Sequence, residues 1–324
     1  MKRTATFLTG LILCLGLSAC GTDSSSGDQD SGNASSAAST SVTLSSSSPL
    51  SSSGSSPRFS LQITDAPIDN LSKVIMLFTE VELRKTSGGW LRYTLDTPVE
   101  IDILQLHGTA AADLLKNVPV EAGDYNELRL IVGSGAMDNY VELVAGGTQP
   151  LQIPAGSSSG IKVKGDFTIT SGLDSNLTLD IDLRQSIRSP GMSGNYQFKL
   201  VYRLVENSDV GHISGMVDPT LLAAATCSDL LDDTFNAAYV FDGHNVIPDD
   251  IDATAGNPEP VTTTSLHYDA DMDKYVYEAA FLPAGDYTVA ITCNADQEDL
   301  DADDDLQFFN TKNITVLVND IVFL

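Results

Sequence analysis

The feature that most constrains this fold is a strict two-residue alternation of apolar and polar side chains. Leu177, Leu179, Ile181 and Leu183 interleave with Thr178, Asp180 and Asp182. Tyr196, Phe198, Leu200, Tyr202 and Leu204 interleave with Gln197, Lys199, Val201, Arg203 and Val205. Successive side chains of an extended chain point to opposite faces, so this period predicts half-buried antiparallel strands. Lys73–Leu83 begins as a continuous apolar run and then alternates through Val81 and Leu83, as a strand crossing a sandwich core would. Gly88-Gly89, Gly133–Gly135, Gly146-Gly147 and Gly156–Gly160 punctuate the strands. Ala110–Asn117 is compatible with one or two helical turns. Short, regularly spaced strands with such turns predict an all-β fold of two antiparallel β-sandwiches.

Charge divides the chain. Residues 58–206 carry 13 Lys/Arg and 18 Asp/Glu, a net of −5. Residues 207–324 carry only Lys274 and Lys312 against 23 acids, a net of −21 out of −27 for the whole chain. Such asymmetry marks a boundary, placed near Glu206–Val210. The expected organisation is therefore 58–206 as one sandwich and 207–324 as a second, acidic one.

The first residues bear on location. Lys2 and Arg3 precede an apolar run from Phe7 to Leu17, too short to cross a bilayer, which needs about 20 apolar residues. Leu17-Ser18-Ala19-Cys20 follows, the layout of a bacterial lipoprotein signal, with residues 1–19 removed and Cys20 acylated. Membrane lipid, through the acyl chains on Cys20, is the first expected partner. Several chains anchor stably, since each buried methylene contributes about 0.8 kcal/mol. Gly21, rather than Asp, after the cysteine resembles the outer-membrane address of enteric lipoproteins. Gly21–Pro57 contains 17 Ser and no aromatic, Lys or Arg. Too little apolar surface is present to offset the entropy of ordering, so 20–57 reads as a flexible tether. Its reach is roughly 30–35 Å.

Two segments echo one another. Val120-Glu121-Ala122-Gly123-Asp124-Tyr125 leads into Leu128, Leu130 and Val132, and Leu282-Pro283-Ala284-Gly285-Asp286-Tyr287 into Val289, Ile291 and Cys293. In each, Ala-Gly-Asp makes a turn and Tyr opens an alternating strand. Two readings stay open: related sandwiches, or a common way to start a strand.

Thr64-Asp65-Ala66-Pro67, Val81-Glu82-Leu83, Gly89-Trp90, Ile101-Asp102-Ile103-Leu104 and Ala122-Gly123-Asp124-Tyr125 resemble the bacterial domain-of-unknown-function family DUF4382 over most of Arg58–Leu204. The resemblance implies a lipoprotein with the domain after a Ser/Gly-rich tether, and no established chemistry. The second half opens on Gly211-His212-Ile213-Ser214-Gly215 and carries Leu282–Tyr287 late. It is similar to small sandwiches of the carboxypeptidase-regulatory or collagen-adhesin-B type, within the carbohydrate-binding-like folds, which implies a stalk or binding module. The insert Thr220–Thr234 departs from that pattern.

Chemistry is sparse. Cys14 leaves with the signal, so Cys227 and Cys293 remain as an even pair in an oxidising compartment, where a disulfide is expected over two buried thiols. Asp296–Asp305 packs seven carboxylates into ten residues, and Asp269, Asp271 and Asp273 form a second cluster. Alternate acids, Asp299, Asp301 and Asp303 with Asp296 and Asp305, or the second trio, could converge on one Ca²⁺, which takes six to eight oxygens. Neither is an EF-hand: Lys274 and Asp304 stand where the turn glycine belongs. The other reading is solvated acidic loops screened by Mg²⁺ or Na⁺. No other cofactor is expected.

Gly156-Ser157-Ser158-Ser159-Gly160 matches Gly-x-Ser-x-Gly, but Pro154 precedes it and strand-like Ile161-Lys162-Val163-Lys164 follows, where a nucleophile elbow needs strand then helix. His107, His212, His244 and His267 have no metal-ligand spacing and read as lone histidines. Asp65 before Ala66-Pro67 is expected to cap backbone amides. Trp90 and Tyr93 form either a sugar-stacking platform or a hairpin packing pair. Nucleic acid is excluded as a partner by the negative charge. The expected function is a non-catalytic envelope lipoprotein that binds an extracellular glycan, matrix or protein. An envelope polysaccharide hydrolase and a purely structural spacer are the alternatives.

Overall fold

The computed structural model describes residues 56–154, 156, 158–188, 195–225, 235–252 and 257–324. The signal, Cys20, nearly all of the tether and Cys227 lie outside the described residues. The fold is all-β. Strands β1 (Arg58–Ala66), β4 (Ala112–Pro119), β9 (Ser175–Asp182) and β12 (Tyr202–Glu206) form one sheet in the order β12-β9-β1-β4. Facing it is a larger sheet of β2 (Leu71–Lys85), β3 (Trp90–Asp102), β5 (Gly123–Val132), β6 (Tyr140–Leu143), β7 (Thr148–Gln152), β8 (Ile161–Ile169), β10 (Ile187–Arg188) and β11 (Tyr196–Phe198). Its order is β10-β11-β7-β6-β2-β5-β8, with β3 also paired to β2. A short helix α1 (Leu183–Ser186) follows β9. Phe59, Leu61 and Ile63 from one sheet and Met76, Phe78, Val81 and Leu83 from the other share a fully buried core.

The second sandwich has β13 (Val210–Val217), β16 (His267–Asp269), β17 (Lys274–Pro283) and β20 (Ile321–Phe323) in the order β16-β17-β13-β20. Its other sheet has β14 (Ala237–Asp242), β15 (Thr262–Ser265), β18 (Gly285–Thr292) and β19 (Phe309–Val316) in the order β15-β14-β18-β19. Helix α2 (Pro219–Ala224) follows β13, capped by the Asp218 carboxylate, which accepts the Thr220 amide at 2.9 Å. Residues 52–324 make one compact unit.

Most pairs are antiparallel, but β1 runs parallel to β9, β11 to β7 and β13 to β20. β2 is the spine of the large sheet, and a bulge at Thr79 explains its mixed pattern. Val74, Met76 and Phe78 are buried before it, Val81 and Leu83 after it, and the register shifts there against both β3 and β5. One extra residue moves the inward phase from even to odd numbers.

Two local expectations are corrected. Ala110–Asn117 is not helical: it lies largely in β4, where pairing with β1 satisfies its backbone. Tyr196–Leu204 is not one strand but two, β11 in the large sheet and β12 in the small one. The break is held by Ser186, whose carbonyl accepts the Lys199 amide at 2.8 Å and whose Oγ accepts the Val201 amide at 2.9 Å. Alternation continues through the crossing because each half has its own inward face.

The echoed segments are tyrosine corners. Tyr125 Oη donates to the Glu121 carbonyl at 2.7 Å, and Tyr287 Oη to the Pro283 carbonyl at 2.8 Å, each four residues back. The hydroxyl fixes the turn that feeds the strand, while the ring joins the core. Tyr125 also stacks on Phe167 at 5.3 Å between centroids. Burial pushes the Tyr125 hydroxyl up to about 12, so it stays a donor. Tyr125→Phe and Tyr287→Phe should each lower unfolding free energy by about 1 kcal/mol. Urea melts check this, and an unchanged midpoint would show that the bonds do not matter.

Candidate functional site

The small sheet of the first sandwich has a polar outer face: Ser60 and Thr64 on β1, Thr178, Asp180 and Asp182 on β9. Alternation predicts these in water, yet all are buried, Thr178 completely. Residues of the second sandwich lie against Thr64 and Asp180, while the Asn117 amide donates to Ser60 Oγ at 3.1 Å. The crossing 207–209 is pinned by Asn207, whose Oδ1 accepts Thr178 Oγ1 at 2.7 Å and whose Nδ2 donates to Gln62 at 3.2 Å. Arg203 on β12 pairs with Asp180 and also donates to the Phe281 and Ala280 carbonyls at 3.2 and 3.3 Å. Phe281 sits at φ +54°, a left-handed conformation that costs a non-glycine residue of order 1 kcal/mol. Thr109 donates from its amide and hydroxyl to Glu278 Oε2, both at 3.2 Å. Gly108 beside it has φ +64°, and a Cβ there would lie 2.5 Å from the same oxygen.

Arg184 on α1 forms the second ionic link. It is 5% exposed, pairs with the equally buried Asp69, and donates Nη1 to the Ala295 carbonyl of the second sandwich at 3.0 Å. Burial opposes its charge, but Asp69, Tyr239 and Asp182 together outweigh burial and hold the guanidinium's pKa above its ordinary value. Ala295 begins the long acidic loop between β18 and β19. Leu300, Leu306 and Phe308 of that loop pack on Tyr239, Phe241 and Ile251, a separate small core. Asp301 reaches Arg188 at 3.7 Å.

Under the loop three carboxylates converge. Oxygens of Asp250, Glu298 and Asp304 lie within 4.8 Å of one another, and so do those of Asp249, Asp250 and Asp303. Asp250 belongs to both groups and is 1% exposed. Its Oδ2 accepts the Asp304 amide at 2.6 Å, while Oδ1 is buried with no hydrogen-bond partner. Glu298 accepts the Tyr239 hydroxyl at 2.7 Å and the Ile251 amide at 3.0 Å. Burial nonetheless pushes its carboxyl up to about 7.

The sequence-predicted acids divide. Asp303 is in the convergent set. Asp296, Asp299, Asp301 and Asp305 are exposed, and Asp299 Oδ1 accepts the Asp301 amide at 3.1 Å in a local turn. Asp269, Asp271 and Asp273 shape the β16–β17 hairpin: Asp269 accepts the Asp271 and Met272 amides, and Asp273 accepts the Tyr268 hydroxyl at 2.6 Å. Among the described residues these three form no convergent carboxylate group. Alternation fails as a guide here because a loop has no two faces. Asp249-Asp250, some fifty residues upstream, could not be joined to the loop by spacing; the pair's place after Pro248 was the only local signal.

Other readings change too. Both oxygens of Asp65 are buried, with the Leu183 amide beside them. Trp90 offers no open stacking face on one side, since the Arg129 guanidinium lies 3.8 Å from its ring centroid, and Tyr93 donates to the Pro119 carbonyl at 3.0 Å. His107 and His267 are not lone; their rings meet 5.3 Å apart between the sandwiches. His212 Nδ1 accepts the Phe281 amide at 3.2 Å, and burial lowers its pKa. His244 Nε2 lies 3.2 Å from the Ile314 carbonyl. Ser158 sits in a turn followed by strand β8, not by a helix. Cys293, after β18, is half-buried against the core.

Comparison with known proteins adds the family. Residues 56–200 match the sequence profile of a domain of unknown function, DUF4382. The match ends two residues before β12, so Arg203 and its bond to Asp180 lie across the edge of the DUF4382 segment. Asp65-Ala66-Pro67 of the matched segment is buried, with Asp65 at the junction. No curated protein matches the chain in sequence. Among solved structures, the Bacillus anthracis TIE protein is 13% identical over 83% of this chain and 33% of that one, with a TM-score of 0.20. This chain thus spans a third of that protein's length. The minor pilin GBS52 of Streptococcus agalactiae is 10% identical over 82% and 93%, TM-score 0.17. The fimbrial anchor Mfa2 of Porphyromonas gingivalis is 8% identical over 73% and 78%, TM-score 0.18. Scores this low say nothing about what the protein does.

Burial, with Asp180 and Asp182 alongside, pushes the Asp65 carboxyl well above its ordinary range, against Leu183 and Arg184. The gap beside it, about 10 Å³, is at the lower limit for one water. The fold therefore holds a proton on Asp65 that the unfolded chain, with a pKa of about 3.9, releases. The resulting stability is full below about pH 4 and is lost as pH rises through the folded value. Melting temperature should fall as pH rises above about 4, the range in which the unfolded chain releases this proton, and Asp65→Asn should flatten the slope. Equal slopes in variant and wild type would contradict this.

Proposed function

We propose that the protein is a non-catalytic lipoprotein of the bacterial cell surface, held by acyl chains on Cys20, whose two sandwiches act as a binding or adhesion module for an extracellular glycan, matrix component or protein. The observation that carries this is Leu17-Ser18-Ala19-Cys20 after a short apolar run, followed by a Ser-rich spacer that ends where β1 begins at Arg58. Gly21 supports the outer membrane. Acyl chains on one residue, a spacer and then folded modules suit presentation away from a lipid surface. The charge supports an outward-pointing second sandwich, because anionic headgroups repel its −21. In the exported compartment Cys227 and Cys293 form a disulfide, and the second sandwich serves as a stalk or binding module of the carboxypeptidase-regulatory type.

The two carboxyls whose pKa is raised furthest do not favour a hydrolase. Asp65 is buried inside the junction, and Glu298 is tied to Tyr239 and Ile251. A glycosidase needs two carboxyls flanking a bond that the substrate can reach.

Metabolic labelling with a clickable palmitate analogue tests the reading. Label should enter the wild type and be absent from Cys20→Ala, which should move to the soluble fraction. The intact mass of the purified protein should show the acyl chains and a loss of two hydrogens for the disulfide. An unlabelled full-length chain in the cell interior contradicts the proposal. Release of reducing ends from a polysaccharide, abolished by one carboxylate substitution, favours the hydrolase. Retention by neither glycan arrays nor matrix proteins leaves the spacer.

A further inference from the structure

We propose that Asp250, Glu298 and Asp304, with Asp249 and Asp303 at the rim, form a calcium site that clamps the acidic loop onto the second sandwich. Two features carry this. The first is spacing: oxygens bound to Ca²⁺ at 2.3–2.6 Å lie at most about 5 Å apart, and both carboxylate groups meet that limit at 4.8 Å. The second is Asp250. Its side chain is 1% exposed, and Oδ1 is buried with no hydrogen-bond donor, a group that folding leaves in want of a counter-charge.

The ligand class follows from the donors. They are all oxygen, mostly carboxylate, on loops after β14 and between β18 and β19, with no His in either group. That selects a hard cation over zinc or copper. Carboxylates on two separate loops suit the variable geometry of Ca²⁺ better than the strict octahedron of Mg²⁺. Arg184 makes its ion pair with Asp69 rather than with these carboxylates.

The site has a structural consequence. Glu298 and Asp304 flank Leu300, and Leu306 follows Asp304 by two residues; both leucines pack in the small core of Tyr239 and Ile251, and the same loop begins at Ala295, the acceptor of Arg184. A cation that ties Asp250 to both ends of the segment fixes the loop where it meets the first sandwich. This inference is independent of the surface-module reading, since it concerns only the folded chain.

Calorimetric titration of Ca²⁺ into the purified full chain in detergent tests it. The wild type should bind one Ca²⁺ with sub-millimolar affinity and melt higher with Ca²⁺ than with chelator. Asp304→Asn should weaken binding about tenfold or more. The hairpin triple variant Asp269→Asn/Asp271→Asn/Asp273→Asn should bind as the wild type does. No saturable heat, equal weakening in both variants, or loss in the hairpin variant alone overturns the site. Should Asp304→Asn fail to fold, Tb³⁺ luminescence decides: emission sensitised in the wild type, displaced by Ca²⁺ and lost in Tyr239→Phe supports the site, and its absence overturns it.

Discussion

The structure depends on charge buried between the two sandwiches. Arg203 with Asp180 and Arg184 with Asp69 each join a first-sandwich ion pair to a backbone carbonyl of the second. A guanidinium suits this role because its forked donors serve a carboxylate and a carbonyl together. Ion pairs taken from water gain little by themselves, but breaking one leaves a lone buried charge, at a cost of about 3–5 kcal/mol. The links therefore act as registration, and the small apolar cluster of Val210, Ala280 and Phe281 against Ala111 and Val205 contributes the dry contact. The polar outer face of β1 and β9 is intelligible only in this setting. It is an interface, with threonines of β15 opposite, not a solvated surface.

Much of the architecture was legible in the sequence. Period-two runs marked the residues of β9, β11 and β12 but not the break between β11 and β12, and the apolar run Lys73–Leu83 lies within β2. The paired Ala-Gly-Asp-Tyr segments were visible, but not the hydroxyl that closes each corner, because that bond depends on the turn's path. Parallel neighbours such as β1 and β9 were illegible: alternation reports which way side chains point, not which strand lies alongside. Thr178, Asp180 and Asp182 looked exposed for the same reason. A sequence shows polarity, and a polar face buried by a second module looks the same as one facing water.

The acidic loop shows where composition stops. Its density of carboxylates drew attention to this loop, and Asp303 was among the residues singled out. The convergent set also needs Asp250, which only the tertiary fold brings near Glu298 and Asp304. Conversely Asp269, Asp271 and Asp273 have an appealing spacing but spend their oxygens on hairpin amides and a tyrosine hydroxyl. The acids thus do three jobs: Asp180 and Asp69 lock the junction, the hairpin trio shapes a turn, and the loop set lies over a small core that adjoins the junction.

The central claim is that the buried ionic links make the two sandwiches one cooperative body. Scanning calorimetry of the purified chain tests it most directly. The account predicts a single transition whose calorimetric and van't Hoff enthalpies agree, and its separation into two when Arg184→Met and Arg203→Met are combined. Two independent transitions in the wild type would contradict it.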